Sequence, residues 1–404
     1  MMMSTLKVFT LNCWGLPLPL LCKHHQERIA AIGDYLKVQD YDMVVLEEVW
    51  VKSDFQELKQ KLVRVLPFSH YFYSGTIGSG LCVFSKHQII ETSYHQFHLN
   101  GHAHKIHHGD WFGGKGVGLC KIHILEGALD INLYCTHLHA EYNPECDEYE
   151  AHRLAQTFEL CQFVRNTAYN CDIAILAGDL NTSPTHLGYK ILTQHASLKD
   201  CWAEKNLSEI ECKESGGTCM VPGNIYTGDV AQSSSPFGVR IDYIMYRTSA
   251  NVSATVADCS IGIGKVPQTN IDYSDHEAVF TSISLTKNPV SQQEVRNSTL
   301  TKDLRDVFQQ SLNVLDNGLA QCQREERFFQ IVVFILSLIL YVLNNYLDVS
   351  DYSSNILLVF MFSMTKLLVG MAIGFCFWTA WILKRSEYHG LTACKEDLLK
   401  LLAL

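Results

Sequence analysis

From the N-terminus to about residue 286, short apolar runs bounded by polar or glycine residues alternate with stretches of helical spacing. Lys7-Val8-Phe9-Thr10-Leu11 alternates as a half-buried strand does. Val44-Val45-Leu46, Gly80 to Phe84, Ile131 to Cys135 and Ile173 to Leu176 are unbroken apolar runs of strand length. His25 to Leu36 and Tyr149 to Val164 have a helical period, with Leu154, Phe158 and Cys161 on one face of the second. Strands alternating with helices predict one layered α/β or α+β domain over residues 1–286.

The pattern then changes. Residues 287–300 read as a linker. In 301–327, Leu304, Phe308, Leu312, Leu315 and Leu319 recur at three- and four-residue steps, which fits either a packing helix or a helix lying on a membrane surface. Residues 328–347 and 356–383 are apolar and of a length to cross a bilayer, with a single charge, Lys366, in the second; a tail, 384–404, follows. Arg324 and Arg327 precede the first apolar segment and Lys384 and Arg385 follow the second, whereas the loop between them carries only acids. Positive residues favour the cytosolic face, so the expectation is a hairpin anchor with the large domain and the C-terminus both in the cytosol. Asn12, Gly15, Pro17 and Pro19 interrupt the apolar stretch Leu11 to Cys22, so it reads as a strand and turn rather than a secretion signal.

Composition narrows the partners. Of the 404 residues, 47% are hydrophobic and only 18% charged, with a formal net charge of −10. An acidic chain is poorly suited to gripping nucleic acid, which needs clustered Lys and Arg. The 15 cysteines never stand as CxxC and read as buried thiols of a reducing compartment.

Candidate chemistry sits where strands should end. Asn12 lies in Leu-Asn-Cys-Trp-Gly, Glu48 in Leu-Glu-Glu-Val-Trp, His137 in Thr-His-Leu-His-Ala-Glu, Asp179 and Asn181 in Gly-Asp-Leu-Asn, Asp242 in Arg-Ile-Asp-Tyr, and Asp275 and His276 in Ser-Asp-His-Glu. Glu48 with the amide oxygen of Asn12 suits a hard cation such as Mg²⁺, which takes oxygen ligands and often only one or two carboxylates. Histidines suit acid–base work near neutral pH. Each motif alone is common in turns; their collection and order at strand ends of one domain carry the signal. Asp110 and Lys115, in His-Gly-Asp-Trp-Phe-Gly-Gly-Lys-Gly, fit either a substrate-binding loop or a hairpin with a surface ion pair. His102, His104, His107 and His108 lack the ligands from separate elements that zinc sites use. Trp378 and Trp381 suit an interfacial aromatic belt.

The order Asn…Glu…His…Asp-x-Asn…Asp…Asp-His resembles the endonuclease/exonuclease/phosphatase superfamily. The wording LNCWGLP, LEEVW, SGTIGSGLCVFSKH, IHHGDWFGGKGVGL, THLHAEYN, GDLN, FGVRIDYI and SDHEA is similar to the eukaryotic Mg²⁺-dependent neutral sphingomyelinases, over about residues 5–285. The resemblance implies a DNase-like four-layered α/β sandwich, two packed β-sheets flanked by helices, followed here by a C-terminal transmembrane hairpin. It implies hydrolysis of sphingomyelin to ceramide and phosphocholine with Mg²⁺, for which Mn²⁺ could substitute. Carried over by position, Glu48 resembles the metal ligand with Asn12 near it, and His276 the base that activates water. Asp179 resembles the carboxylate orienting that water or the metal, Asn181 a phosphate donor, and His137 the group that stabilises charge on phosphorus or the leaving oxygen. Asp242 and Asp275 resemble the residues that hold the histidines, and Lys115 would meet the phosphate, with Asp110 pairing it when the site is empty. The implied partner is a membrane lipid and the implied location the endoplasmic reticulum or nuclear envelope. A lysophospholipid substrate, a phosphodiesterase of another branch and a non-catalytic membrane scaffold are the competing readings.

Overall fold

The computed structural model describes residues 3–17, 22–124, 129–143, 145–205, 207–228, 235–287, 300–345 and 356–403. The first sheet runs in the order β11-β12-β1-β2-β4-β3. Its strands are β1 (Met3–Asn12), β2 (Met43–Glu47), β3 (Phe68–Tyr71), β4 (Cys82–Ser85), β11 (Val252–Ile261) and β12 (Val279–Lys287). The second runs β5-β6-β7-β8-β10-β9, from β5 (Ile89–Gln96), β6 (Gly116–Ile124), β7 (Leu129–His137), β8 (Ile173–Asp179), β9 (Lys199–Asp200) and β10 (Asp242–Thr248).

Alternation along each strand builds the layers. In β1, Leu6 and Val8 face the second sheet and pack with Ile122, Leu133, Ile175 and Ile244. Phe9 and Leu11 face outward onto α1 (His25–Lys37) and α2 (Lys52–Leu62), meeting Ile29, Ile32, Phe55 and Leu58. The outer face of the second sheet, with Leu119, Tyr134, Leu176 and Met245, is covered by α3 (Glu150–Thr167) through Leu154, Phe158 and Cys161. The result is the expected sandwich of helices, sheet, sheet and helices. Short helices α4 (Leu187–Lys190) and α5 (Glu209–Ser215) complete the domain. The cysteines are free thiols, most of them buried.

The C-terminal part differs from a linker followed by a free anchor. The expected linker lies outside the described residues except at its ends. Helix α6 (Lys302–Asn345) is continuous, and its first half packs into the same core as α3 through Leu304, Val307, Phe308, Leu312 and Leu315. That settles the stripe at 301–327 as a packing face. Past Phe329 the helix turns its apolar side chains outward, Phe334 being 72% exposed. Helix α7 (Ile356–Trp378) does the same along its length. Two helices are therefore long and apolar enough to cross a membrane, and the protein buries only 6% and 0% of their most apolar windows. Outward-facing apolar helices of this length suit lipid rather than a protein core. The expected tail is instead helix α8 (Lys384–Leu402), seated on α3 and α6 by Leu391, Cys394 and Leu398. Its buried Lys384 pairs with Glu325 of α6 and Glu387, and His102 and His152 lie 3.4 and 3.3 Å from Glu387. The hairpin is thus clamped onto the domain, and the run of four histidines is divided: His102 serves this clamp while His108 stacks on Tyr142 at 4.0 Å.

Candidate active site

The strand register explains why distant motifs converge. Asn12 is opposite Glu47 at the ends of β1 and β2, and His137, Asp179 and Asp242 are successive partners at the ends of β7 and β8 and the start of β10. Both sheets therefore deliver polar residues to one edge. Glu48, just beyond β2, takes a left-handed conformation (φ +55°), as do Trp14 (φ +46°) and Asn181 (φ +43°). Such backbones are uncommon outside glycine and cluster at functional sites.

Asn12 is the hub. Its amide nitrogen donates to Glu48 Oε1 (3.1 Å) and Asp179 Oδ2 (3.0 Å), while its oxygen accepts the Trp14 N–H (3.0 Å). The Asn12 oxygen accepts from the Trp14 backbone while its nitrogen spaces two carboxylates. Asp179 also accepts the Asn181 N–H (2.9 Å), and the Asn181 side chain donates to the Leu138 carbonyl (3.0 Å). Burial, then the charge of Asp242, pushes Asp179 up to about 7. Burial, then the charge of Asp275, raises Glu48 as well.

On one flank, His276 sets Nδ1 2.9 Å from Asp242 Oδ2. Burial disfavours the imidazolium, but the charge and hydrogen bond of Asp242 together with those of Cys219 outweigh it and hold His276 well above the usual histidine range. Asp275, expected to help hold a histidine, does not bond the imidazole: its Oδ1 lies 3.1 Å from Ser274 Oγ. On the other flank, His137 Nε2 lies 3.1 Å from Lys115 Nζ, 3.5 Å from Asp179 and 3.9 Å from Glu48. Burial and then the Lys115 charge hold His137 well below the usual range, so it is neutral. Lys115 and Asp110 form no surface ion pair. They are 2.6 Å apart with side chains 1% and 8% exposed, and Lys115 also donates to the Leu138 carbonyl (2.8 Å). Tyr142 and His139 buttress Asp110 from behind.

Glu48, Asp179, Asp242 and Asp275 thus share one mouth, with Lys115 and His276 on its flanks. Crowded carboxylates with raised pKa values are relieved by a cation, and these oxygen donors fit a hard divalent one that Glu48 at the rim could hold. Asp179, Asp242 and His276 also bring ligand atoms within 4.8 Å of one another.

The model of the endonuclease/exonuclease/phosphatase family matches residues 9–276. The chain belongs to this family. Sphingomyelin phosphodiesterase 2 of Homo sapiens is 40% identical over 330 residues, 81% of this chain and 76% of that protein. The inositol phosphosphingolipids phospholipase C of Schizosaccharomyces pombe is 32% identical over 308 residues, 72% of each. A Staphylococcus aureus beta toxin structure shares the fold, with a TM-score of 0.50, 19% identity and coverage of 70% of this chain and all of that one. The catalytic domain of human Nocturnin does so equally, at a TM-score of 0.50, 18% identity and coverage of 70% and 95%.

Within this member of the family, two buried carboxyl and guanidinium groups escape the motif reading. Glu47, fully buried, accepts from the Thr10 hydroxyl (2.7 Å), and burial raises it well above the carboxylate range. Arg28 lies under the turn after β1. Helical spacing placed Arg28 on α1 but gave no sign of its burial.

Proposed function

We propose that the protein hydrolyses sphingomyelin to ceramide and phosphocholine at a membrane surface, with Mg²⁺ as the metal. The observation that carries this is the pair of oppositely biased histidines, His276 on Asp242 and His137 on Lys115, across a carboxylate-lined mouth. The names of the relatives supply the substrate class, since two of them are phosphodiester hydrolases of sphingolipids.

Neutral His276, its Nδ1–H donated to Asp242, presents Nε2 to take a proton from the attacking water. Asp179, raised toward neutrality, orients that water. Glu48 holds the metal, which when bound supplies a Lewis acid to the phosphoryl oxygens. Neutral His137, its Nε2 accepting from Lys115, holds that ammonium toward the charge developing on phosphorus, the leaving ceramide oxygen takes its proton from solvent, and Asn181 offers its remaining amide N–H to the phosphate. All three N–H donors of Lys115 are engaged with Asp110, Leu138 and His137. A substrate phosphate would take one of them, so the Asp110 pair is the resting state and the phosphate contact the working one. Asp275 adds negative charge beside Glu48.

The two apolar helices cross the membrane as a hairpin. Lys384 against Glu325 brings the start of one and the end of the other together, so both ends lie on one side. Arg324, Arg327, Lys384 and Arg385 favour the cytosol for that side. The endoplasmic reticulum or nuclear envelope is the proposed membrane.

The test uses full-length protein in detergent micelles. Phosphocholine release is followed from sphingomyelin and from lysophosphatidylcholine, with Mg²⁺, Mn²⁺ or EDTA. Release from sphingomyelin that needs Mg²⁺ is expected. Preference for the lyso lipid would move the substrate, and no release from either would return the scaffold reading.

A further inference from the structure

Arg28 lies in the first turn of α1 and is wholly shut from solvent. Among the described residues no carboxylate accepts a hydrogen bond from it. Its guanidinium is committed to main chain and sulfur. Nε donates to the Lys23 carbonyl (3.0 Å), Nη1 to the carbonyls of Cys13 (2.6 Å) and Tyr273 (3.3 Å), and Nη2 to the Trp14 carbonyl (2.7 Å) and Cys22 Sγ (2.8 Å). The rings of Trp14 and Tyr226 lie 4.8 and 5.6 Å from its central carbon.

A buried cation without a bonded acid is costly, so its place needs a reason. The segments it joins supply one. Cys13 and Trp14 directly follow Asn12, and Tyr273 stands just before Asp275 and His276. The same two turns meet again where the Ser274 hydroxyl donates to the Asn12 carbonyl (2.6 Å), and within the second turn the His276 N–H donates to Ser274 Oγ (3.3 Å). The excess of acids at the mouth is the electrostatic counterpart of the unpaired guanidinium, and its charge acts on Asp275.

We propose that Arg28 is a positioning residue for the hydrolytic reaction. It staples the turn that carries Asn12 to the turn that carries His276, and so sets the distance between the carboxylate-spacing amide and the base. The inference rests on the phosphodiester-hydrolase reading. Only a planar fork reaches three carbonyls from separate segments at once; a lysine keeps the charge but not the span.

The experiment compares full-length wild type, Arg28→Lys and Tyr226→Leu in detergent micelles with sphingomyelin and Mg²⁺. Each is followed by kcat, KM for lipid, Mg²⁺ half-saturation and thermal melting. For Arg28→Lys the expected result is a cooperative melt with kcat lowered at least ~10-fold, Mg²⁺ half-saturation raised, and lipid KM within about threefold. Tyr226→Leu removes one ring of the stack and leaves all five hydrogen bonds, so it answers even if the lysine variant does not fold; its kcat should fall ~3-fold or more. A purely structural role would lower the melting temperature and leave kcat per folded molecule and Mg²⁺ half-saturation as in wild type, and that result overturns the proposal. Inactive wild type would instead bring down the hydrolase reading, and this inference with it.

Discussion

The His276 and His137 flanks of the site use the same ring to opposite ends. Both imidazoles are largely buried, with side chains 9% and 4% exposed. Burial by itself disfavours the charged form of each. At His276 the Asp242 carboxylate at 2.9 Å, with Cys219 beside the ring, reverses that, whereas at His137 the Lys115 ammonium at 3.1 Å reinforces it. The partner, rather than the depth of burial, decides which histidine can hold a proton and which stays neutral. Environments that push two titratable groups apart mark the base and its complement. In the proposed mechanism the division separates the water side of the reaction from the phosphate side.

Removing the base should break this comparison most severely. His276→Ala is expected to lower kcat by about 10²- to 10⁴-fold, the range for loss of positioned proton transfer. An effect below about tenfold, measured as phosphocholine release, would strip His276 of that role. Lys115→Ala should cost ~10²-fold in kcat/KM, as does loss of one charge-stabilising donor. A loss within about threefold would return the Asp110–Lys115 loop to a structural part. Asp110→Asn sharpens the comparison more gently. It frees Lys115 from its resting partner while leaving the Leu138 and His137 contacts, so an effect of ~10-fold or less is expected, expressed in KM as much as in kcat.

The strands and the chemistry at their ends were legible because each catalytic-type residue follows a short apolar run. Val44-Val45-Leu46 announces Glu48, and Ile173 to Leu176 announces Asp179. What spacing could not convey was who meets whom. His276 is bonded by Asp242, far away in the chain, and not by its neighbour Asp275, because antiparallel pairing of β10 with β8 sets the first carboxylate at the edge. That the Asn12 amide nitrogen bridges Glu48 and Asp179 was not legible either, since the left-handed turn at Trp14 that orients the amide leaves no mark in composition. Lys115 read equally as surface or site because burial depends on β6, β7 and the His137 strand end closing over it. Helix α8 was read as a tail although Leu391, Cys394 and Leu398 already recur at helical steps; the α3 and α6 faces that receive them lie far off in sequence.

The pH dependence of kcat/KM, compared among wild type, Asp242→Asn and Lys115→Met, tests the central claim most directly. A base must be neutral to act, and His276 is held well above the ordinary histidine range by Asp242. Activity should therefore rise with pH through that raised value. Asp242→Asn removes the stronger of the two partners that oppose burial, leaving Cys219, so its acidic limb should move to lower pH by about one unit or more, on a reduced maximum. Lys115→Met should lower the maximum and leave the acidic limb in place. An acidic limb that stays put in Asp242→Asn and moves in Lys115→Met would contradict the assignment, and would make His137 the group that handles the proton.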